Sequence, residues 1–481
     1  MRKLVMVGLT VCLVASGVAF LDMVYWLGTR GAMSFLAYSS LVLGLSYTEL
    51  QLARRFKMPQ QIIWCVVGLA LFVGIVASVV LDFSFGLKMV SDFASSQRAV
   101  EAGAPSVIHP GWCEYWCNYE LLLSYLGMLI KPHILTAQIF NAIFLSATIY
   151  PVFRLSCKSG GLTVAILVST AMAVSPALAV YSAFTTGEFA GAVFMIWAYY
   201  MIDPIVCDLS FKWTALLRVA VCGVILGASQ MFKPIVLLFF GAFFAMIVLN
   251  AMEVSGARGR RLVSGLLLLV LMFSCCRASL CGFRTFVRMM NTTGTIIEPI
   301  SESPWKGMVV GLNVESDGAW ERSVSDLAHR LSQDEARRFV LDRAGNEWKK
   351  YPILICKKFV RLYQSDNWVK AWCKESLHAK DENVMFDVID GSFAMLHVFF
   401  LSGIVGMMLK LKAGDACYGG MFALMVIVGF TFVIMLVEMQ ARYRISIYPF
   451  FPLVMAFAGE ACKALAIRMD SRCWRSVICC M

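Results

Sequence analysis

Charge is scarce in this chain. Of its 481 residues only 15% are Asp, Glu, Lys or Arg, while 59% are apolar. A water-soluble protein of this length could not hide that much apolar surface, so a soluble fold is excluded and the bilayer is the solvent. Nucleotide and metal motifs are missing as well. There is no P-loop, no GxGxxG after a strand and no His-rich cluster, so nucleotide-driven transport has no support. The 17 cysteines form no paired CxxC pattern. Many fall inside apolar stretches, where Cys behaves as a small hydrophobe. The net charge of +11 is not a nucleic-acid footprint, because the basic residues cluster at the ends of apolar runs, where membrane topology is written.

What is present is a succession of apolar runs. A spanning helix needs about 20 mostly apolar residues. About twelve runs qualify: 4–21, 33–50, 62–81, 134–153, 162–181, 188–202, 214–231, 234–252, 262–282, 389–409, 419–437 and 446–466. The expected fold class is an all-α polytopic membrane protein. The N-terminal MRKLVMVGLTVCLVASGVAFLD resembles a signal peptide, but its apolar run is long and has no A-x-A site, so a retained first helix is expected. Arg2 and Lys3, Arg54 and Arg55, Arg154 and Lys158, Lys212, Arg258 to Arg261, Lys410 and Lys412, and Lys463 to Arg475 fall in alternate connections. The Lys/Arg bias then makes both termini cytoplasmic. Four regions follow: N-terminal helices 1–61, a core 62–282 with a first outer loop 82–133, a large extracytoplasmic segment 283–388, and C-terminal helices with a cytoplasmic tail 389–481.

The two long outer segments hold most of the suggestive residues. Long loops that are neither repetitive nor low in complexity are often functional. Asp92, in SDFASSQRAV, follows the third apolar run and reads either as a solvated loop acid or as an acid with a role at the interface. HPGWCEYWCNYE places His109, Cys113, Glu114 and Cys117 outside, where the thiols are bridged or free. In the second segment Ser332 lies three residues before Glu335, a capping box that opens a helix. ILICKKFVRLYQ (353–364) is basic and amphipathic, a pattern for a helix on the membrane surface. NTT at 291–293 matches a glycosylation acceptor, a short match that is common by chance.

Three further places put charge against outer helix ends. Glu188 is the only acid in its neighbourhood and begins an apolar run; the bland account is an acid favoured by the helix dipole. Lys233 precedes Pro234 at another outer turn, where it snorkels or meets a phosphate. VEMQARYRISIYPFFP gathers Glu438, Arg442, Tyr443 and Arg444. Glu438 and Arg442 are spaced for an intrahelical ion pair, while the arginine forks suit phosphate oxygens.

With these residues in view, the chain resembles the GT-C superfamily of membrane glycosyltransferases, and most closely the bacterial branch related to protein O-mannosyltransferases. The likeness is carried by SDF (91–93), FKP (232–234), GMVVGLNVESDGAWERSVSD (307–326) and VEMQARYRISIYPFFP (437–452), in that order from about residue 62 onward. It implies transfer of a sugar from a polyprenyl-phosphate donor to an acceptor hydroxyl on the outer face of the plasma membrane, with inversion. Asp92 would be the general base, with Glu188 or Glu114 assisting. Lys233, Asn313, Glu438, Arg442, Tyr443 and Arg444 would bind substrate. Asp82 is a competing base, since Asp92 is followed by Phe93 and Ala94 rather than by a second acid. The implied partners are the lipid-linked donor, the membrane and a glycan, protein or lipid acceptor. No cofactor is certain, and a divalent cation stays open. The rival reading is a flippase, transporter or polymerase of lipid-linked glycans. A transporter predicts charges deep in the helices, yet Asp22, Glu49, Asp203 and Glu253 fall at predicted ends; only Arg218 and Arg277 are nearer the interior.

Overall fold

A computed structural model describes residues 2–55, 61–85, 87, 118–119, 122–123, 134–184, 186–207, 209, 211–253, 258–290, 303–364, 382–415, 417–438 and 441–468. Asp92, His109, Cys113, Glu114, Cys117 and Asn291 lie outside the described residues, and so does the side chain of Arg442.

Every described element is helical. The membrane helices are α1 (Arg2–Arg55), α2 (Ile62–Phe85), α3 (Ile134–Ala173), α4 (Pro176–Ser182), α5 (Glu188–Cys207), α6 (Trp213–Phe232), α7 (Val236–Glu253) and α8 (Arg258–Met290). Four shorter helices follow: α9 (Pro304–Gly311), α10 (Arg322–Arg330), α11 (Gln333–Glu347) and α12 (Tyr351–Gln364). The chain then returns through α13 (Glu382–Ala413) and α14 (Tyr418–Leu436), a 3-10 segment (Ala441–Phe450), α15 (Phe451–Met455) and α16 (Ala458–Arg468). Apolar residues hold these helices because a bilayer offers backbone groups no water, so each segment must satisfy its own. Among the described residues ten stretches are long and apolar enough to span. The protein is a polytopic helical membrane protein.

Ten stretches stand for the twelve expected runs because 134–153 and 162–181 fall in one apolar stretch kinked between them, and 33–50 is the second half of α1. Thr136–Ala173 covers 38 residues, roughly 57 Å of helix and nearly two bilayer cores. It divides at Gly161, whose φ of 82° and ψ of 176° interrupt the helix. That conformation is open to glycine and strained for side-chain-bearing residues. The runs at 4–21 and 33–50 both belong to α1, and only Val5–Asp22 reaches the apolarity of a span. Phe20 and Phe35 both pack against Phe393 and Ala394 of α13.

The last expected run, 446–466, is broken. Pro449 lies within the 3-10 segment and Pro452 in the first turn of α15. Each removes a backbone donor that a continuous helix would need. Upstream, α14 stops at Leu436 and Val437 is extended. Glu438 and Arg442 therefore do not share a helix, which corrects the expected one-turn pairing.

Helices α9 to α11 form a small lobe around Val309, Val310, Ala328, Ala336 and Val340. The capping box is present: Ser332 accepts from the Glu335 N–H at 3.3 Å, and Glu335 Oε2 accepts from the Ser332 N–H at 2.8 Å. Helix α12 is two-sided, with Leu354, Lys358 and Leu362 buried and Ile353 exposed.

Candidate functional site

Glu188 is the first residue of α5 and Lys233 caps the C-terminus of α6. Both ends suit these charges, since a helix N-terminus favours an acid and a C-terminus a base. The two helices meet closely here, and Ser229 Oγ donates to the Gly191 carbonyl at 3.1 Å. Lys233 Nζ then reaches Glu188 Oε1 at 3.1 Å, with both residues buried. The other oxygen, Glu188 Oε2, is buried with no hydrogen-bond partner among the described residues. Lys233 Nζ also stands 4.4 Å from the centre of the Tyr443 ring. Glu188, Lys233 and Tyr443, which are far apart in sequence, form one contact group.

Arg444 follows Tyr443 and is buried. Its guanidinium lies over the Phe393 ring at 4.6 Å and 6.0 Å from the Tyr363 ring. It forms part of the wall of a cavity of about 270 Å³. The rest of that wall is mainly apolar and includes Val11, Phe393, Phe400, Ile427 and Phe432. The space is mainly apolar, with Arg444, His397, Tyr363, Thr431 and Tyr448 among the polar side chains in its wall.

A polar network runs on from Glu188. Burial pushes the Tyr119 phenol up, and the Glu188 charge acts in the same direction. Tyr119 donates to Asn141 Oδ1 at 3.2 Å, and Asn141 Nδ2 donates to the Phe184 carbonyl at 2.6 Å. Gln138, one helical turn away, donates from Nε2 to the Ala183 carbonyl at 3.0 Å and to Asp82 Oδ1 at 3.1 Å. Asp82 sits in the last turn of α2. Asn118 Nδ2 donates to the Met231 carbonyl at 3.0 Å, so this piece of the first loop is fastened to the end of α6. Hydrogen bonds thus tie Asp82 to Gln138, and the Glu188 carboxylate reaches this group through its charge on Tyr119.

Asn313 is placed differently. It is buried, and its amide donates to Ser316 Oγ at 3.0 Å and Glu321 Oε2 at 3.3 Å. Those bonds close the turn after α9. Glu438 follows extended Val437 at the end of α14. No group of three or more His, Cys, Asp or Glu side chains suited to a metal occurs among the described residues.

Lys358 was not singled out from sequence. It is fully buried, and its Nζ donates to the carbonyls of Gly311, Met435 and Val437 at 3.0, 2.8 and 2.6 Å. Burial pushes it down to about 7, against the pull of the Glu438 charge. The signal was its spacing: Lys358 is four residues from both Leu354 and Leu362, which puts it on the apolar face of α12.

No family model and no curated protein matches this chain. Among solved structures, it is similar to the oligosaccharyltransferase AglB of Archaeoglobus fulgidus in complex with an inhibitory peptide and a dolichol-phosphate. The TM-score is 0.47 at 12% identity, over 87% of this chain and 52% of that one. A structure of the Archaeoglobus fulgidus oligosaccharyltransferase in the apo form gives 0.40 at 14% identity, with the same coverage. This chain spans about half the length of each. Neither likeness is close enough to transfer an activity.

Proposed function

We propose that this protein is a GT-C-type membrane glycosyltransferase, of the branch related to protein O-mannosyltransferases. It moves a sugar from a polyprenyl-phosphate donor to an acceptor hydroxyl on the extracytoplasmic face of the plasma membrane. The observation that carries this reading is the mainly apolar cavity whose wall includes the Arg444 guanidinium, one residue along the chain from the Tyr443 ring that Lys233 meets. Such a space suits a hydrocarbon chain, and the cation suits its phosphate. The motif resemblance points the same way.

In this reading the acceptor oxygen attacks the anomeric carbon while the bond from that carbon to the phosphate oxygen breaks. Asp92 takes the acceptor proton, and polyprenyl phosphate leaves. Attack opposite the leaving group inverts the anomeric centre. Negative charge grows on the phosphate, where a fixed cation acts most strongly. Arg444 supplies that cation, with Lys233 and Arg442 nearby in sequence or space. Glu188, held by Lys233, offers its second oxygen as an additional acceptor.

The test is sugar transfer by the purified protein in nanodiscs, given polyprenyl-phosphate sugar and membrane-derived acceptors. Arg444→Ala should lose roughly 100-fold or more, as when a transition-state donor is removed. Asp92→Asn should lose transfer while keeping donor binding; full activity in that variant would remove Asp92 from the mechanism. A flippase would show no transfer in this assay.

A further inference from the structure

Lys358 is buried, and its ammonium donates hydrogen bonds to backbone oxygens. Three backbone carbonyls surround it, at 2.6–3.0 Å. Gly311 is the last residue of α9, Met435 lies in the last turn of α14, and Val437 caps α14. Carbonyls at a helix C-terminus lack intrahelical donors and carry the negative end of the helix dipole. One ammonium therefore satisfies the ends of two helices at once. An ammonium has three N–H donors, matching the three acceptors.

The place of this clamp matters more than its strength. Val437 is where α14 gives way to the stretch carrying Glu438, Arg442, Tyr443 and Arg444. Gly311 packs directly on Val437: a Cβ there would fall 2.1 Å from the Val437 carbonyl carbon. Two residues on, Asn313 closes its turn. At the far side of that turn Asp317 has a positive φ of 53°, an uncommon conformation for a non-glycine residue. Lys357 and Arg361, on the same helix as Lys358, hold Asp317 at 3.0 and 2.8 Å. Helix α12 thus grips the turn of the lobe with two surface cations and the membrane helix end with one buried cation.

We propose that Lys358 is a positioning residue: through the Val437 carbonyl it fixes the Glu438–Arg444 stretch against the lobe, and so sets where Arg444 meets the donor phosphate. It touches no reacting atom. This rests on the donor reading given above, and the experiment separates the two.

Full-length protein in nanodiscs is compared as wild type, Lys358→Met and Arg444→Ala. Two quantities are read: stoichiometry and Kd for polyprenyl phosphate, and amide exchange over 435–444 against the rest of the chain. For Lys358→Met the expected result is unchanged stoichiometry, a Kd raised roughly tenfold or more, and faster exchange confined to 435–444 and the 311–321 turn. A shift of 1.4 kcal/mol corresponds to that tenfold change. Unchanged Kd, or fewer binding sites at unchanged Kd, overturns the proposal, because the second result marks only a lost fraction of folded molecules. If wild type does not bind polyprenyl phosphate, the donor reading fails by itself. Exchange then decides the clamp: a local rise at 435–444 upholds it, and no rise overturns it.

Discussion

Glu188 and Lys233 each looked out of place in their apolar neighbourhoods, and each was legible for that reason. Their pairing, across 45 residues, follows from topology rather than local spacing: α5 ends at Cys207 and α6 begins at Trp213, and two successive antiparallel helices bring the start of the first beside the end of the second. A buried pair of this kind costs desolvation, and removing one partner strands the other. Lys233→Met alone should destabilise the protein by about 3–5 kcal/mol. Combining it with Glu188→Gln should recover most of that stability, measured by thermal unfolding in detergent. If the pair also serves the chemistry, sugar transfer will stay low in the stable double variant. Recovery of both together would mark the pair as structural only. Lys358 escaped notice for a different reason. Its neighbour Lys357 is exposed, so a Lys-Lys step reads as a solvated face, and only the spacing to Leu354 and Leu362 puts one of the two inside.

Local rules were most reliable at the element scale, where the interaction spans a few residues. The Ser332–Glu335 box could be read directly, since both bonds lie within one turn. It makes a pH prediction. The Ser332 hydrogen bonds hold the Glu335 carboxyl below its usual range, so the folded form binds its proton less readily than the unfolded form does. The contribution is present above the ordinary Glu pKa of about 4.3, and it is lost as pH falls through the lowered folded value. Amide exchange at the start of α11 should therefore rise between pH 5 and 3, after correction for intrinsic rates, and Ser332→Ala should remove that added pH dependence. Helix ends were harder to read. Pro449 and Pro452 were visible, yet apolarity alone extended a helix through them. The same bias made Glu438 and Arg442 look like neighbours on one turn, although α14 ends before either.

Composition was decisive for the whole molecule. A chain so poor in charge had to be a membrane bundle, and ten of the expected spans have counterparts in the described helices. Of the remaining two, 162–181 is set off from 134–153 by the kink at Gly161, whereas 33–50 continues α1 without a break, because apolar content does not report whether a helix stops. What could not be read was which ends converge. Contacts such as Lys233 to Tyr443 and Lys358 to Val437 depend on how distant helices pack, and no periodicity records that. Orientation rests on the Lys/Arg bias and has a direct check. In a chain stripped of its other cysteines, exposed Cys356 should react with a membrane-impermeant maleimide in intact cells, and exposed Cys462 only after permeabilisation. The opposite pattern reverses the topology and moves the lobe to the cytoplasm.

The clamp around Lys358 also sets a timetable. Its acceptor on Val437 lies 79 residues later in the chain. At about 5–20 residues per second, a ribosome needs roughly 4–16 s after making Lys358 to make that partner. Through this interval the lobe carries an ammonium destined for burial with only the Gly311 carbonyl yet synthesised. A nascent chain that stalls before α14 is complete leaves the clamp open, and with it a ready mark by which a protease could tell an unfinished copy from a finished one.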